Sequence, residues 1–142
     1  MNSPYITIPV TAWLIAQVLK VAEDSLRQRR LDFRRLASAG GMPSSHTALV
    51  LSLTTVIGSK RGINTPEFAI SAIFSAVVMY DATGVRRAAG RQARVLNRIV
   101  DDLFHQEGLK EERLRELLGH TPIEVIAGAL LGVVVAIVML GG

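Results

Sequence analysis

Residues 40–48 read Gly40-Gly41-Met42-Pro43-Ser44-Ser45-His46-Thr47-Ala48 and stand directly before an apolar run over residues 48–57. Proline and two serines in front of such a run predict a helix start, where a serine hydroxyl caps the first free N–H groups. A helix N-terminus carries partial positive charge and unpaired donors, so this stretch favours phosphate binding, with His46 in the first turn. A capped helix with an incidental histidine explains the same residues equally well.

The composition indicates a membrane protein of about one domain. The chain has 142 residues, of which 49% are hydrophobic, and its mean hydropathy is +0.35. Cysteine is absent, which excludes disulfides and thiolate chemistry. The net charge of +4 suits an anionic partner, and with 5% aromatic residues and no nucleic-acid motif we expect lipid headgroups rather than nucleic acid. Residues 1–142 are interpreted as a single membrane-embedded domain.

Apolar segments predict an all-α, polytopic membrane bundle of about four transmembrane helices, because a span needs about 20 residues. The segments cover residues 5–22, 42–58, 68–85 and 123–140. Thr65-Pro66-Glu67 and Thr121-Pro122-Ile123-Glu124 precede the last two segments and combine a cap residue, a proline and an acid. Gly128 and Gly132 have the spacing that allows close helix packing in membranes.

The polar connections predict amphipathic helices at the membrane interface, and their charges predict which side of the membrane each connection faces. Residues 23–39 interleave arginines with leucine and phenylalanine, and within residues 88–119 Val95, Ile99 and Leu103 follow a helical spacing. A further short helix is expected over residues 111–118. Lysine and arginine concentrate after the first and third segments, which predicts that both connections are cytoplasmic and both termini outside, in a bacterial plasma membrane. A small bundle of this kind is a candidate for pairing as a homodimer.

This orientation brings residues of several segments to one membrane face. Two segments begin there and two end there, which supplies Lys20, Ser44, Ser45, His46, Asp81, Arg86, Arg87 and His120. Two histidines, several cations and two helix N-termini predict a site that handles phosphate. A carboxylate at the edge of a span needs a partner or a polar cavity, and Arg86 or Arg87 could pair with Asp81 in a purely structural ion pair.

Two motifs resemble those of the type-2 phosphatidic acid phosphatase superfamily. Pro43-Ser44-Ser45-His46 is similar to its Pro-Ser-x-His motif, and residues 119–128 resemble its last motif, in which a histidine precedes an acidic residue by four. Together with residues 80–90, which read Tyr-Asp-Ala-Thr-Gly-Val-Arg-Arg-Ala-Ala-Gly, they resemble the divergent branch of that superfamily. Its members are small membrane proteins related to acid phosphatases and vanadium-dependent haloperoxidases. The resemblance covers nearly all of the chain.

The resemblance implies a lipid phosphatase that forms a phosphohistidine and uses no metal or other cofactor. His120 would be the nucleophile, His46 the general acid, and Glu124 the carboxylate that orients His120; Asp81 is grouped with these catalytic residues. The implied ligands of the substrate phosphate are Lys20, Arg27, Ser44, Ser45, Arg86 and Arg87. The implied reaction is hydrolysis of a phosphomonoester or pyrophosphate of a phospholipid or isoprenoid at the cytoplasmic face.

Departures from the superfamily pattern keep other hypotheses open. Lys20 and Arg27 have the spacing of its first motif, but Gln28 replaces the proline; Leu114 stands where the last motif has arginine, and Glu124 replaces aspartate. These departures favour a second hypothesis, a non-catalytic protein that binds or transports lipid phosphates. A third hypothesis, metal-dependent transfer of a phosphatidyl group, rests on Asp81-x-x-Gly-x-Arg. A capping role alone also explains Glu124.

Overall fold

A computed structural model describes residues 3–28, 41–104 and 120–141, most of which lie in α-helices. The helices are α1 (Pro4–Gln28), α2 (Ser45–Arg61), α3 (Pro66–Thr83), α4 (Val85–Phe104) and α5 (Pro122–Gly141). The predicted all-α membrane bundle is confirmed by this architecture. The interfacial segment beyond residue 28 and the short helix over residues 111–118 lie outside the described residues.

The central helix of the bundle is α2, which packs against α1, α3 and α5. Its buried residues are small or β-branched, and several carry a hydroxyl; they are Ser45, Thr47, Ala48, Val50, Ser52, Thr54 and Val56. The hydroxyls of Thr54 and Ser75 lie 2.9 Å apart and both donate to the Val50 carbonyl oxygen. Because polar groups away from water must be paired, this network permits a hydroxyl-rich helix at the centre of a membrane bundle.

The structure corrects the predicted count of transmembrane helices from four to three. Among the described residues, three helical stretches are long and apolar enough to cross a membrane: Pro4–Glu23, Pro66–Val100, which contains α3, and Pro122–Gly141. The remaining predicted span, α2, has only 17 residues and ends in Lys60 and Arg61. Because the other helices cover α2, it does not need an apolar surface on every side.

The contact between α2 and α5 is a close approach of two backbones. A Cβ atom added to Gly128 would lie 2.3 Å from the Ser44 carbonyl oxygen, and one added to Gly132 would lie 2.4 Å from the Ala48 carbonyl oxygen. The predicted close packing through these two glycines is therefore confirmed. Since the residue numbers rise together on both helices, α2 and α5 run parallel and begin at the same end of the bundle.

Helix ends were predicted more accurately where a cap exists than where only hydropathy changes. Thr65 caps α3, accepting from the Phe68 N–H at 3.4 Å, and Pro66 occupies the first turn as expected. By contrast, α1 continues to Gln28, beyond the predicted end of its apolar segment. Apolarity marks the part of a helix that contacts lipid, whereas the helix itself can extend into the polar interface.

The amphipathic helix α4 turns its apolar face away from the described part of the bundle. Ala93 and Asn97 are buried, whereas Val95 and Ile99 remain 60% and 47% exposed. Arg91, Arg94 and Arg98 are exposed on the same helix. An exposed apolar face beside cationic residues is typical of a helix at the membrane interface, as the sequence predicted.

We expect Gly132→Ala to lower the stability of the bundle, because the new methyl group overlaps the Ala48 carbonyl oxygen of α2. The free energy of unfolding should fall by about 1–3 kcal/mol, the usual effect of overpacking. Thermal unfolding in detergent measures this change. Gly141→Ala is the matched control, since its Cβ atom would meet nothing within 4 Å. Equal midpoints for the two variants would contradict the close α2–α5 contact.

Candidate active site

The ends of four helices meet at one end of the bundle. The Ser44 N–H, at the start of α2, donates to the Glu124 carbonyl oxygen of α5 at 3.0 Å. The His120 N–H, just before α5, donates to the Ala82 carbonyl oxygen of α3 at 2.9 Å. Lys20 of α1 donates from Nζ to the Ser45 hydroxyl at 3.5 Å. Residues far apart in sequence are therefore brought to one place, as the predicted arrangement requires.

Lys20 is a buried cation, with a side chain only 2% exposed. Its aliphatic stem lies against Gly41, where an added Cβ atom would be 3.0 Å from Cγ of the lysine. Gly41 also has a φ of +103°, a conformation that favours glycine. Gly41 thus gives Lys20 room beside the start of α2, a contact that the sequence pattern did not reveal.

His120 is held by Glu124 one helical turn later. The side chain of His120 is 2% exposed, and its Nδ1 donates to Glu124 Oε2 at 2.9 Å. The same Oε2 accepts from the Thr121 N–H at 3.2 Å, while the Thr121 hydroxyl accepts from the Glu124 N–H at 3.4 Å. These contacts form a capping box. One carboxylate therefore both caps α5 and contacts His120.

The other ring nitrogen of His120, Nε2, is buried and has no hydrogen-bond partner among the described residues. In the neutral imidazole, the hydrogen bond to the Glu124 carboxylate places the proton on Nδ1 and leaves a lone pair on Nε2. A carboxylate behind Nδ1 fixes this tautomer and stabilises the positive charge that develops when Nε2 forms a bond. The arrangement is chemically suited to a nucleophilic imidazole.

The two adjacent serines have different local contacts. Ser44 is fully buried and is the N-cap of α2, since its hydroxyl accepts from the Thr47 N–H at 3.4 Å and from the Thr47 hydroxyl at 3.0 Å. The Ser45 hydroxyl instead contacts Lys20. Both residues were predicted to bind phosphate; the Ser44 hydroxyl is already used in the cap, so Ser45 is the better placed of the two.

For the remaining predicted site residues, the structure gives the position in a helix and, for some, the exposure of the side chain. His46 is exposed in the first turn of α2, and Asp81 is half-buried beside Ala82, whose carbonyl accepts from His120. Arg27 lies in the last turn of α1, and Arg86 and Arg87 lie at the start of α4, but their side chains are outside the described part of the structure. Within that part, no cluster of three metal-ligating side chains occurs.

Comparison with known proteins identifies the family. A profile described as the Divergent PAP2 family matches residues 1–135. The chain belongs to this family. A relative of this chain is the uncharacterized membrane protein YuiD of Bacillus subtilis (strain 168), which is 43% identical over 141 residues, covering 92% of this chain and 89% of YuiD. No solved structure matches the chain. The resemblance inferred from the motifs is confirmed, and the apolar helices together with this relative indicate a membrane protein related to phosphatases.

Ser44→Ala should destabilise this Divergent PAP2 protein, because the N-cap of α2 is lost while Thr47 keeps a buried hydroxyl. The expected decrease in the free energy of unfolding is about 0.5–2 kcal/mol. Ser59→Ala serves as the control, since Ser59 is exposed near the other end of α2. Both variants would be compared by thermal unfolding in one detergent, and an unfolding midpoint of Ser44→Ala as high as that of Ser59→Ala would contradict the capping role.

Proposed function

We propose that the protein is an integral membrane phosphatase that removes phosphate from a lipid phosphomonoester or pyrophosphate through a phosphohistidine. The observation that carries this proposal is the state of His120: Nδ1 donates to Glu124, while Nε2 is buried without a hydrogen-bond partner among the described residues. Membership of the Divergent PAP2 family adds support, because the family description relates it to phosphatases.

In the first step, the Nε2 lone pair of His120 forms a bond to phosphorus and the bond from phosphorus to the lipid oxygen breaks. The leaving oxygen takes a proton, for which His46 is the proposed donor, since it lies in the exposed first turn of α2. Water then gives a proton to His46 and attacks the phosphohistidine; the bond from phosphorus to Nε2 breaks, inorganic phosphate leaves, and both histidines return to their starting states. Glu124 offsets the positive charge on the imidazole in both steps.

Positive charge near the attacking nitrogen would bind the phosphate oxygens. Lys20 and Ser45 are in mutual contact at the start of α2, whose N-terminus adds the partial positive charge of a helix dipole. Arg27, Arg86 and Arg87 are proposed as further ligands, because they belong to helix ends at the same end of the bundle. The excess of lysine and arginine in the adjoining connections supports placing this end at the cytoplasmic face of a bacterial plasma membrane.

A second candidate function is binding or transport of lipid phosphates without hydrolysis. The specific observation in its favour is Leu114, which occupies the place of an arginine in the last motif of the wider superfamily. This function would use the same cations but would not require a nucleophile. It predicts saturable binding of phospholipids that depends on Asp81 and not on His120.

The test is phosphate release in detergent from a panel of lipid phosphates and isoprenoid pyrophosphates, with a chelator present. We expect release by the wild-type protein and background rates for His120→Ala. His46→Ala should lower the rate by about 10²–10⁴-fold, the range typical of a general acid. His105→Ala is the matched control, because we assign no role to that histidine.

Glu124→Gln separates the two roles of the carboxylate. The amide oxygen can still accept from the Thr121 N–H, so the helix cap and the thermal stability should be largely preserved. The rate should nevertheless fall, by up to about 10⁴-fold, because a neutral amide does not stabilise the positive charge that develops on the imidazole. An unchanged rate in Glu124→Gln, or chelator-sensitive release that persists in His120→Ala, would refute the phosphohistidine mechanism. Binding without any turnover would favour the second candidate.

A further inference from the structure

An apolar groove with a volume of about 500 Å³ lies between α3 and α5. Leu51 and Thr54 of α2 line its inner side, and the two other helices form its walls. One end is formed by Thr83, the last residue of α3, and Pro122, the first residue of α5. Thr83 directly follows Ala82, and Pro122 lies two positions after His120. The His120 N–H donates to the Ala82 carbonyl oxygen. The groove therefore ends next to the contact that joins α3 to His120.

The surface of the groove is apolar although several lining residues carry hydroxyls. Among the described residues, none that lines it is charged. The Thr54 and Ser75 hydroxyls both donate to the Val50 carbonyl oxygen, and the Thr83 hydroxyl donates to the Met79 carbonyl oxygen at 3.0 Å. These hydroxyls are satisfied by backbone carbonyl oxygens, so an occupant meets mainly methyl and methylene groups. The described lining thus suits a hydrocarbon better than a polar ligand.

We propose that this groove binds one hydrocarbon chain of the lipid whose phosphate reaches His120. The inference rests on the proposed function and narrows its substrate to lipids with a long chain attached to the phosphate-bearing headgroup. The phosphate lies at the end formed by Thr83 and Pro122, and the chain runs along α3 toward Ala72.

The length of the groove matches one leaflet of a bilayer. From Thr83 to Ala72 the chain advances eleven residues of helix, which corresponds to about 16 Å at a rise of about 1.5 Å per residue. The hydrocarbon core of a bilayer is about 30 Å thick, so the groove extends through roughly half of it. A lipid can therefore enter sideways from one leaflet, with its headgroup at the site and its chain still at its original depth.

The groove confers selectivity by shape rather than by the hydrophobic effect. A lipid chain in the bilayer is already in apolar surroundings, so moving it into the groove gains little from leaving water. What changes is van der Waals contact with fixed walls and the position of the phosphate relative to Nε2 of His120. Filling the groove should therefore lower kcat/KM for long-chain substrates and leave kcat/KM for substrates without a chain unchanged.

A lipid chain explains the groove better than a second copy of the protein does. The end of the groove formed by Thr83 and Pro122 lies next to the hydrogen bond between His120 and Ala82, a place that suits a lipid phosphate and that a helix of another copy would leave unused. Tyr80, which also lines the groove, is 74% exposed near that end, a position typical of aromatic side chains at the membrane interface.

Ala76→Phe tests the proposal by filling the groove, and Val77→Phe is the matched control. Ala76 lines the groove, whereas neighbouring Val77 is 59% exposed and does not. We expect the ratio of kcat/KM for dipalmitoyl phosphatidic acid to kcat/KM for glycerol 3-phosphate to fall at least about tenfold in Ala76→Phe. Val77→Phe should keep the wild-type ratio. Equal ratios in the two variants, both folded by thermal unfolding, would overturn the inference.

A second measurement does not depend on turnover or on a variant. The wild-type protein is placed in phosphatidylcholine vesicles with phosphatidic acid that carries a diazirine halfway along one acyl chain. After irradiation, labels should concentrate on Ala72, Ala76 and Ile126, and unlabelled phosphatidic acid should compete while extra phosphatidylcholine should not. Labelling spread equally over the exposed Ile73 and Val77 would overturn the inference.

The two experiments distinguish failure of the groove from failure of the proposed function. Labelling in the groove without phosphate release from any lipid would refute the phosphatase and retain the lipid-binding groove. Phosphate release with unselective labelling and an unchanged ratio in Ala76→Phe would retain the phosphatase and refute the groove. Labels missing from the groove in a protein that purifies as a homodimer would refute the inference and assign the groove to a second copy instead.

Discussion

The close approach of α2 and α5 is the constraint on which the arrangement of the site depends. At Gly128 and Gly132 no side chain of any size fits between the two backbones. Helices in a membrane gain little from the hydrophobic effect, so such contacts determine how they pack. Because the register is set at two successive turns, the Ser44 N–H meets the Glu124 carbonyl oxygen and the two helix N-termini come together.

The central position of α2 explains both its composition and the groove beside it. Hydroxyl groups on α2 are paired with one another, with α3 or with backbone, as at Thr54 and Ser75, so the helix tolerates polarity that a lipid-exposed span would not. Since α3 and α5 each pack on α2, their outer surfaces leave a depression between them. The packing that buries a polar helix therefore also forms an apolar groove, whose end at Thr83 and Pro122 lies next to the contact between Ala82 and His120.

Glu124 links the local structure to the chemistry of the site. One oxygen of its carboxylate accepts from the Thr121 N–H and from Nδ1 of His120. The beginning of α5 and the orientation of the imidazole are consequently set by the same group. A change that moves the start of this helix would therefore also move the histidine.

The sequence by itself determined the helical class, the family and the starts of α3 and α5, because caps such as Thr65 and the Thr121–Glu124 box act within one helical turn. It also singled out His120 as the residue to place at the centre of the site. Only the tertiary structure showed that Lys20 is buried against Gly41, that α3 supplies a carbonyl oxygen to His120, and that α2 is enclosed by three longer spans. These features depend on contacts between distant segments, and neither hydropathy nor local spacing specifies which partner a buried polar group meets.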